Sequence, residues 1–148
     1  MKFFAPLTLA AAASAATLER KQEKTKNIGE FSAACIPHSV MCSYSFTVSN
    51  DPSLPVSNCE AFLAGPDRLP PVDEGKCADN SAYTWTTDRT TDGGLDFTVS
   101  FPLNSRSNIT YCATLPASDF VVDDNGSVQT ERYTGPTGFA ATVDACFQ

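Results

Sequence analysis

From residue 40 onward, apolar and polar positions alternate with a period of two. Val40, Cys42, Tyr44, Phe46 and Val48 share one parity, and Met41, Ser43, Ser45 and Thr47 share the other, with only Met41 spoiling the alternation. Successive side chains of an extended chain point to opposite faces, so this pattern predicts a half-buried strand over residues 40–48. Asn50, Asp51 and Pro52 end it with turn chemistry. Residues 59–64 predict a second strand, and residues 83–86 a short one. Leu95, Phe97, Val99 and Phe101 alternate with Asp96, Thr98 and Ser100, and Ile109, Tyr111, Ala113 and Leu115 alternate with Thr110, Cys112 and Thr114. These two strands are expected to pair antiparallel. Strands over 119–122 and 127–133 flank Asn125 and Gly126, the residue pair of a type I′ hairpin turn. A last strand is expected over 139–146. Gly65, Pro66 and Asp67 turn the chain, Leu69, Pro70 and Pro71 form a stiff loop, and Asp92, Gly93 and Gly94 turn it again. About eight short strands and no sustained helical period predict an all-β fold. It is mainly antiparallel, either a β-sandwich or a small β-barrel.

The first residues read differently. Lys2 precedes an almost unbroken apolar run over residues 3–13, and Ala13, Ser14, Ala15 and Ala16 offer small-residue cleavage sites. This is the pattern of a secretory signal peptide over residues 1–16. Residues 17–30 are polar, charged and free of aromatics, and are expected to be disordered or a pro-segment, with Arg20 and Lys21 as a dibasic processing site. The folded part is then expected to be a single β domain over residues 31–148.

All six cysteines, Cys35, Cys42, Cys59, Cys77, Cys112 and Cys146, lie beyond that leader. An even count in an exported chain predicts three bridges. Cys59–Cys77 closes one local loop, and Cys112–Cys146 follows from their shared polar parity, which leaves Cys35–Cys42. Exchange among the last four is equally compatible with the sequence.

The whole chain carries a net charge of −7, and from Phe31 onward fourteen acids face five bases, a net of −9. Phosphate backbones and anionic membranes repel such a surface, which argues against nucleic acid and membrane partners. His38 is the single imidazole and stands before a strand without the nucleophile signature of a hydrolase. Asp119, Asp123, Asp124 and Asn125 do not match the calcium-loop spacing and are better read as hairpin residues. No catalytic group, metal ligand set or cofactor is therefore expected. Tyr83 and Trp85, the sole tryptophan, are the candidate binding patch on a strand with few large neighbours. Asn108 and Asn125 open two N-glycosylation sequons.

The strand Cys42-x-Tyr44-x-Phe46-x-Val48, the turn Ala64, Gly65, Pro66, Asp67 and the run LNSRSNITYC ending at Cys112 go together. In these stretches the chain resembles small secreted fungal proteins known as hypersensitive-response-inducing proteins. The resemblance spans residues 35–146. It implies a secreted effector or elicitor, active in virulence, that triggers plant cell death and defence. The partner it implies is a plant surface protein or glycan, bound by a monomer without catalysis. Two other classes fit the residues: a secreted carbohydrate-active hydrolase or carbohydrate-binding module, and a structural cell-wall protein.

Overall fold

The structure is a computed structural model that describes residues 23–148. The expected leader and the Arg20–Lys21 site lie outside the described residues. Ten strands follow one another: β1 (Thr25–Cys35), β2 (Met41–Val48), β3 (Ser57–Ala64), β4 (Val72–Cys77), β5 (Thr84–Arg89), β6 (Leu95–Asn104), β7 (Ser107–Leu115), β8 (Phe120–Asp124), β9 (Gln129–Tyr133) and β10 (Phe139–Thr142). Every pairing is antiparallel. Strands β1 to β7 follow in order, and β10 closes the ring between β7 and β1. The sequence left sandwich and barrel open; the β1–β10 ladder makes it an eight-stranded barrel. Strands β8 and β9 form a two-stranded arm hung from β1.

A bulge in β1 makes this branching. The N-terminal half pairs with β10 from Thr25↔Thr142 to Ile28↔Phe139, and the C-terminal half meets β9 at Ala34↔Arg132. Between them the β1–β2 register shifts between Gly29 and Ser32, and Glu30 takes a positive φ of 50°. An extra residue in one strand bends it and switches its face parity. Lys26 and Ile28 thus point inward in one phase, and Phe31, Ala33 and Cys35 in the other.

This bulge corrects the expectation that order begins at Phe31. The strand starts at Thr25, and Lys26 is buried. Its ammonium donates to Glu23 Oε2 (2.8 Å) and to the Asn50 carbonyl (2.6 Å), with the Phe101 and Tyr111 rings 5.9 and 5.7 Å away. A cation with partners of this kind can leave water. The Tyr111 hydroxyl donates to the Glu23 carbonyl (2.7 Å). Three further corrections are local. Strand β4 was not expected, because its own register shift between Val72 and Gly75 hides the alternation. Val40 is 63% exposed and lies outside β2. The chain leaves β10 at Thr142 and ends in a 3₁₀ turn at Asp144–Phe147.

The barrel interior is filled. Phe31, Phe46, Phe97 and Phe139 meet edge to face with centroids 5.1–6.1 Å apart for the Phe31–Phe97, Phe31–Phe139, Phe46–Phe97 and Phe97–Phe139 pairs. Trp85 packs at right angles on Phe46 (5.0 Å) and at 63° on Tyr44 (6.1 Å). Its indole lies flat against Gly75, where a Cβ would come within 2.4 Å of the ring. These edge-to-face pairs add stability beyond area burial.

The six cysteines form Cys35–Cys42, Cys59–Cys77 and Cys112–Cys146. Two of these bridges sit where the barrel is least zipped. Strand β3 meets β4 at Cys59↔Cys77 and Glu60↔Lys76, and β7 meets β10 at Thr142↔Cys112. The other neighbours are held by longer ladders, such as the eight-rung β2–β3 pairing from Met41↔Ala64 to Val48↔Ser57. The barrel therefore consists of two zipped blocks, β10-β1-β2-β3 and β4-β5-β6-β7, with Cys59–Cys77 across one seam and Cys112–Cys146 tying β7 to the turn that follows β10 at the other. Three disulfides suit an oxidising, extracellular-type environment.

Candidate binding surface

Because the described interior is occupied by packed aromatic and aliphatic side chains, side chains that face solvent carry the candidate site. On β3, Cys59, Ala61 and Leu63 turn toward the barrel, and Asn58, Glu60 and Phe62 turn away. Phe62 is 60% exposed. Its register partner on β2 is Ser43; Glu60 lies opposite Ser45, and Asn58 opposite Thr47. Directly opposed residues of an antiparallel pair share a face, so these six side chains form one outer patch.

Three shallow depressions follow this patch. The first, about 490 Å³, runs over Ser43, Ser45, Glu60 and Phe62. The second, about 220 Å³, takes in Glu30, Ser45, Thr47, Asn58 and Glu60. The third, about 440 Å³, is lined by Leu54, Val56, Asn58, Asp79, Asn80 and Tyr83 among others. The first two share Ser45 and Glu60, and the last two share Asn58. They join into one trough along β3. At its far end Asp79 Oδ2 accepts from the Asn58 amide (2.9 Å) and Nδ2 (3.2 Å), and Asn80 Oδ1 accepts from the Ala82 amide (3.1 Å).

The expected patch of Tyr83 and Trp85 is corrected. Trp85 is 1% exposed and donates its indole N–H to the Lys76 carbonyl (3.2 Å). It is core because β5 alternates inward at Trp85 and Thr87. Tyr83 is 9% exposed, edge to face with Phe101 at 4.7 Å, and touches only the end of the trough. The two do not form a surface together. Phe62 was missed although its parity with Glu60 and against Cys59 was readable.

The other named residues are spread apart. His38 is exposed at φ 61° in the β1–β2 turn, which the Ser39 amide closes on the Ile36 carbonyl (3.1 Å). A proline followed by a positive-φ residue is type II turn chemistry. Asn108 is exposed at the start of β7, and Asn125 is exposed in the β8–β9 turn. That turn is not the expected two-residue type I′. It spans residues 125–128, Gly126 has φ 83°, and Asn125 does not share a positive φ. The Asn125 amide donates to the Val128 carbonyl (2.8 Å). Among the described residues no group of three or more His, Cys, Asp or Glu side chains could hold a metal ion.

One polar cluster had no sequence signal. Glu131 of β9 is 2% exposed. Its Oε1 accepts from the Leu69 amide (3.1 Å) and lies 3.0 Å from Arg89 Nη1, which is close enough for an ion pair but not aligned for a hydrogen bond. Its Oε2 accepts from Arg89 Nη2 (3.1 Å) and Arg68 Nη1 (3.3 Å). The Arg89 guanidinium covers the Phe120 ring at 4.9 Å. This cluster ties the arm, the 65–71 loop and β5 together, and its carboxylate is saturated by partners. It is built to hold the arm rather than to meet a ligand.

Comparison with protein-family models, curated proteins and solved structures finds no match to this chain.

Proposed function

We propose that this chain is a secreted fungal elicitor that induces the plant hypersensitive response by binding a host surface component, not by catalysis. The observation that carries this reading is the division of labour in the barrel. The interior is occupied by aromatic side chains, and the outer face of β2 and β3 presents Phe62 among hydroxyls, an amide and carboxylates. A filled barrel leaves recognition to its surface. The acidic groups support binding over hydrolysis as well. The buried carboxylate, Glu131, is held by two arginines and an amide, which leaves it unsuited to shuttling protons.

Export fits the three bridges, since crosslinks restrict the unfolded chain on which extracellular proteases act. The acidic surface favours protein or glycan partners over nucleic acid and membranes. Exposed Asn108 and Asn125 are accessible to glycosylation during export.

Infiltration of purified, oxidised protein into leaves tests the reading. Local cell death with wild-type protein, lost after heat denaturation and reduction, is the expected result. Silence from folded protein across several plant hosts overturns it.

A further inference from the structure

We propose that the trough along β3 binds a linear oligosaccharide carrying free amino groups, of the β-linked glucosamine type. This rests on the reading that the outer face is the working surface, and it names what that face would recognise.

Shape gives the first argument. The three joined depressions follow β3 from Phe62 to Val56, a span of about 20 Å at the rise of an extended strand. A trough of that length suits a chain of several linked rings and is too open to retain a single small molecule. The lining gives the second. Ser43, Ser45, Thr47, Asn58 and Asn80 supply hydroxyls and amides at short intervals. Phe62 offers an exposed ring near one end, and Tyr83 edges the other. A pyranose has an apolar face that stacks on an aromatic ring and a rim of hydroxyls that trade hydrogen bonds with such groups. An extended peptide would instead seek unpaired backbone groups at a sheet edge. The trough lies over the β2–β3 ladder, whose backbone is paired from Met41↔Ala64 to Val48↔Ser57, so it presents side chains only.

Charge decides which sugar. The residues lining the three depressions include the carboxylates of Glu30, Glu60 and Asp79 and no lysine, arginine or histidine. Lys76 stands beside Glu60 across the β3–β4 seam and lines none of the depressions. Glu60 is central, because it lines both the first and second depressions, next to the exposed Phe62 ring. An ammonium placed there meets a carboxylate and an aromatic face together, the combination that favours cations. A uronate polymer would meet like charge, and a neutral glycan would draw no ionic attraction from exposed Glu30 and Glu60.

The test is titration of the full secreted protein with defined hexasaccharides, read by amide chemical shifts and calorimetry. The probes are a glucosamine hexamer, its N-acetylated counterpart, a glucose hexamer and a galacturonate hexamer, in mildly acidic buffer that keeps the amines protonated. The glucosamine hexamer is expected to bind, with shifts running from Phe62 to Asn80, and to weaken as salt rises. The acetylated and glucose hexamers are expected to bind at least about tenfold more weakly, and galacturonate not at all. Phe62→Ala is expected to weaken binding about tenfold, the loss of one stacking contact. Glu60→Gln combined with Glu30→Gln is expected to erase the preference for amino over acetylated sugar. Leu103→Ala, also an exposed apolar residue, is expected to change nothing. All four positions are at the surface, and near-ultraviolet circular dichroism verifies that each variant is folded.

Absence of binding by the glucosamine hexamer overturns the proposal. So does equal affinity for the acetylated form, undiminished binding by Phe62→Ala, or equal binding of an unstructured lysine-containing peptide of the same charge. Leaf infiltration with the same preparations separates the two readings. A leaf response without hexamer binding removes the ligand assignment and leaves the elicitor reading intact. Hexamer binding with silent leaves does the reverse.

Discussion

Glu131 shows what a single side chain can hold in this molecule. Removing one partner of a buried ion pair leaves the other charge stranded in a poor solvent. Glu131→Ala would leave Arg89, whose side chain is 24% exposed, with the Gly93 carbonyl (2.8 Å) in place of its ion pair, so the variant is expected to lose about 3 kcal/mol of unfolding free energy. Arg68 pairs with the same carboxylate from a side chain that is 67% exposed, and Arg68→Ala is expected to cost under about 1 kcal/mol. Denaturant midpoints compare them; equal losses would contradict the assignment of Arg89 as the principal partner. Tyr44 makes a second residue-level case. Burial pushes its phenol from 10.0 to about 12, and Thr87 and Arg89 only partly offset this. Its hydroxyl donates to the Pro70 carbonyl (2.8 Å), a bond the phenolate cannot make. A phenol whose folded value is raised binds its proton more tightly in the native state. Its contribution is therefore fully present below pH 10 and is lost as pH rises toward about 12. The loss amounts to roughly 2–3 kcal/mol. Burial also raises the Tyr111 and Tyr133 phenols, so they steepen the same alkaline decline. Phenolate absorbance and unfolding measured across that range test it: Tyr44→Phe should flatten the decline.

Among elements, the β8–β9 arm is the least integrated. It reaches the barrel through the Ala34↔Arg132 register pair, the Glu131 amide bonded to the Asp67 carbonyl (3.2 Å), the Glu131 cluster with Arg89 over Phe120, and the Tyr133 ring edge to face on Phe31 (5.0 Å). Local opening costs least where few buried contacts and backbone bonds must break. Native-state hydrogen exchange is therefore expected to release the amides of Val122 and Glu131 well before those of Phe97 and Val99 in β6. Glu131→Ala is expected to speed the arm, with β6 remaining the slower of the two; arm amides as protected as β6 would refute this. The elements also explain which parts of the fold were legible. Strands β2, β6 and β7 keep a period of two through their middles, with Met41 and the Pro102–Asn104 shift confined to strand ends, so parity alone reveals them and their inward faces. Strands β1 and β4 each contain a register shift, and a period that changes phase in mid-strand does not register as a period. Residues 17–30 are in addition polar and free of aromatics, so Lys26 and Ile28 read as part of a tail. Phe62 is legible from its parity with Glu60, whereas ring size favours Trp85, whose burial is set by strands distant in sequence. Glu131 had no local signal at all, since its partners Arg68, Leu69 and Arg89 lie 42–63 residues away.

At the scale of the whole molecule, the two-block barrel makes its disulfides unequal. Cys35–Cys42 spans 7 residues within one block, whereas Cys59–Cys77 spans 18 and Cys112–Cys146 spans 34, and these two cross the seams. Loop-closure entropy alone ranks them at about 2, 3 and 4 kcal/mol in that order. The seams add to the difference, because a short ladder leaves little else to hold the blocks together once its bridge is gone. Access opposes entropy. Cys59 and Cys77 are buried, while Cys112 and Cys146 are half-buried on the outside of β7. A reductant should therefore open the most stabilising bridge first. Trp85 is placed to report the consequence: it belongs to β5 in one block and packs on Tyr44 and Phe46 of the other. Graded reduction followed by alkylation and peptide mapping is expected to label Cys112 and Cys146 first. Tryptophan emission should shift to the red when Cys59 and Cys77 become labelled, as the second seam parts and water reaches the indole. Replacing Cys112 and Cys146 with serine should bring that shift to lower reductant, and replacing Cys35 and Cys42 should barely move it. If the Cys35/Cys42 variant proved the more fragile, the barrel would have to be held as one continuous sheet, and the division at β3–β4 and β7–β10 would have no mechanical meaning.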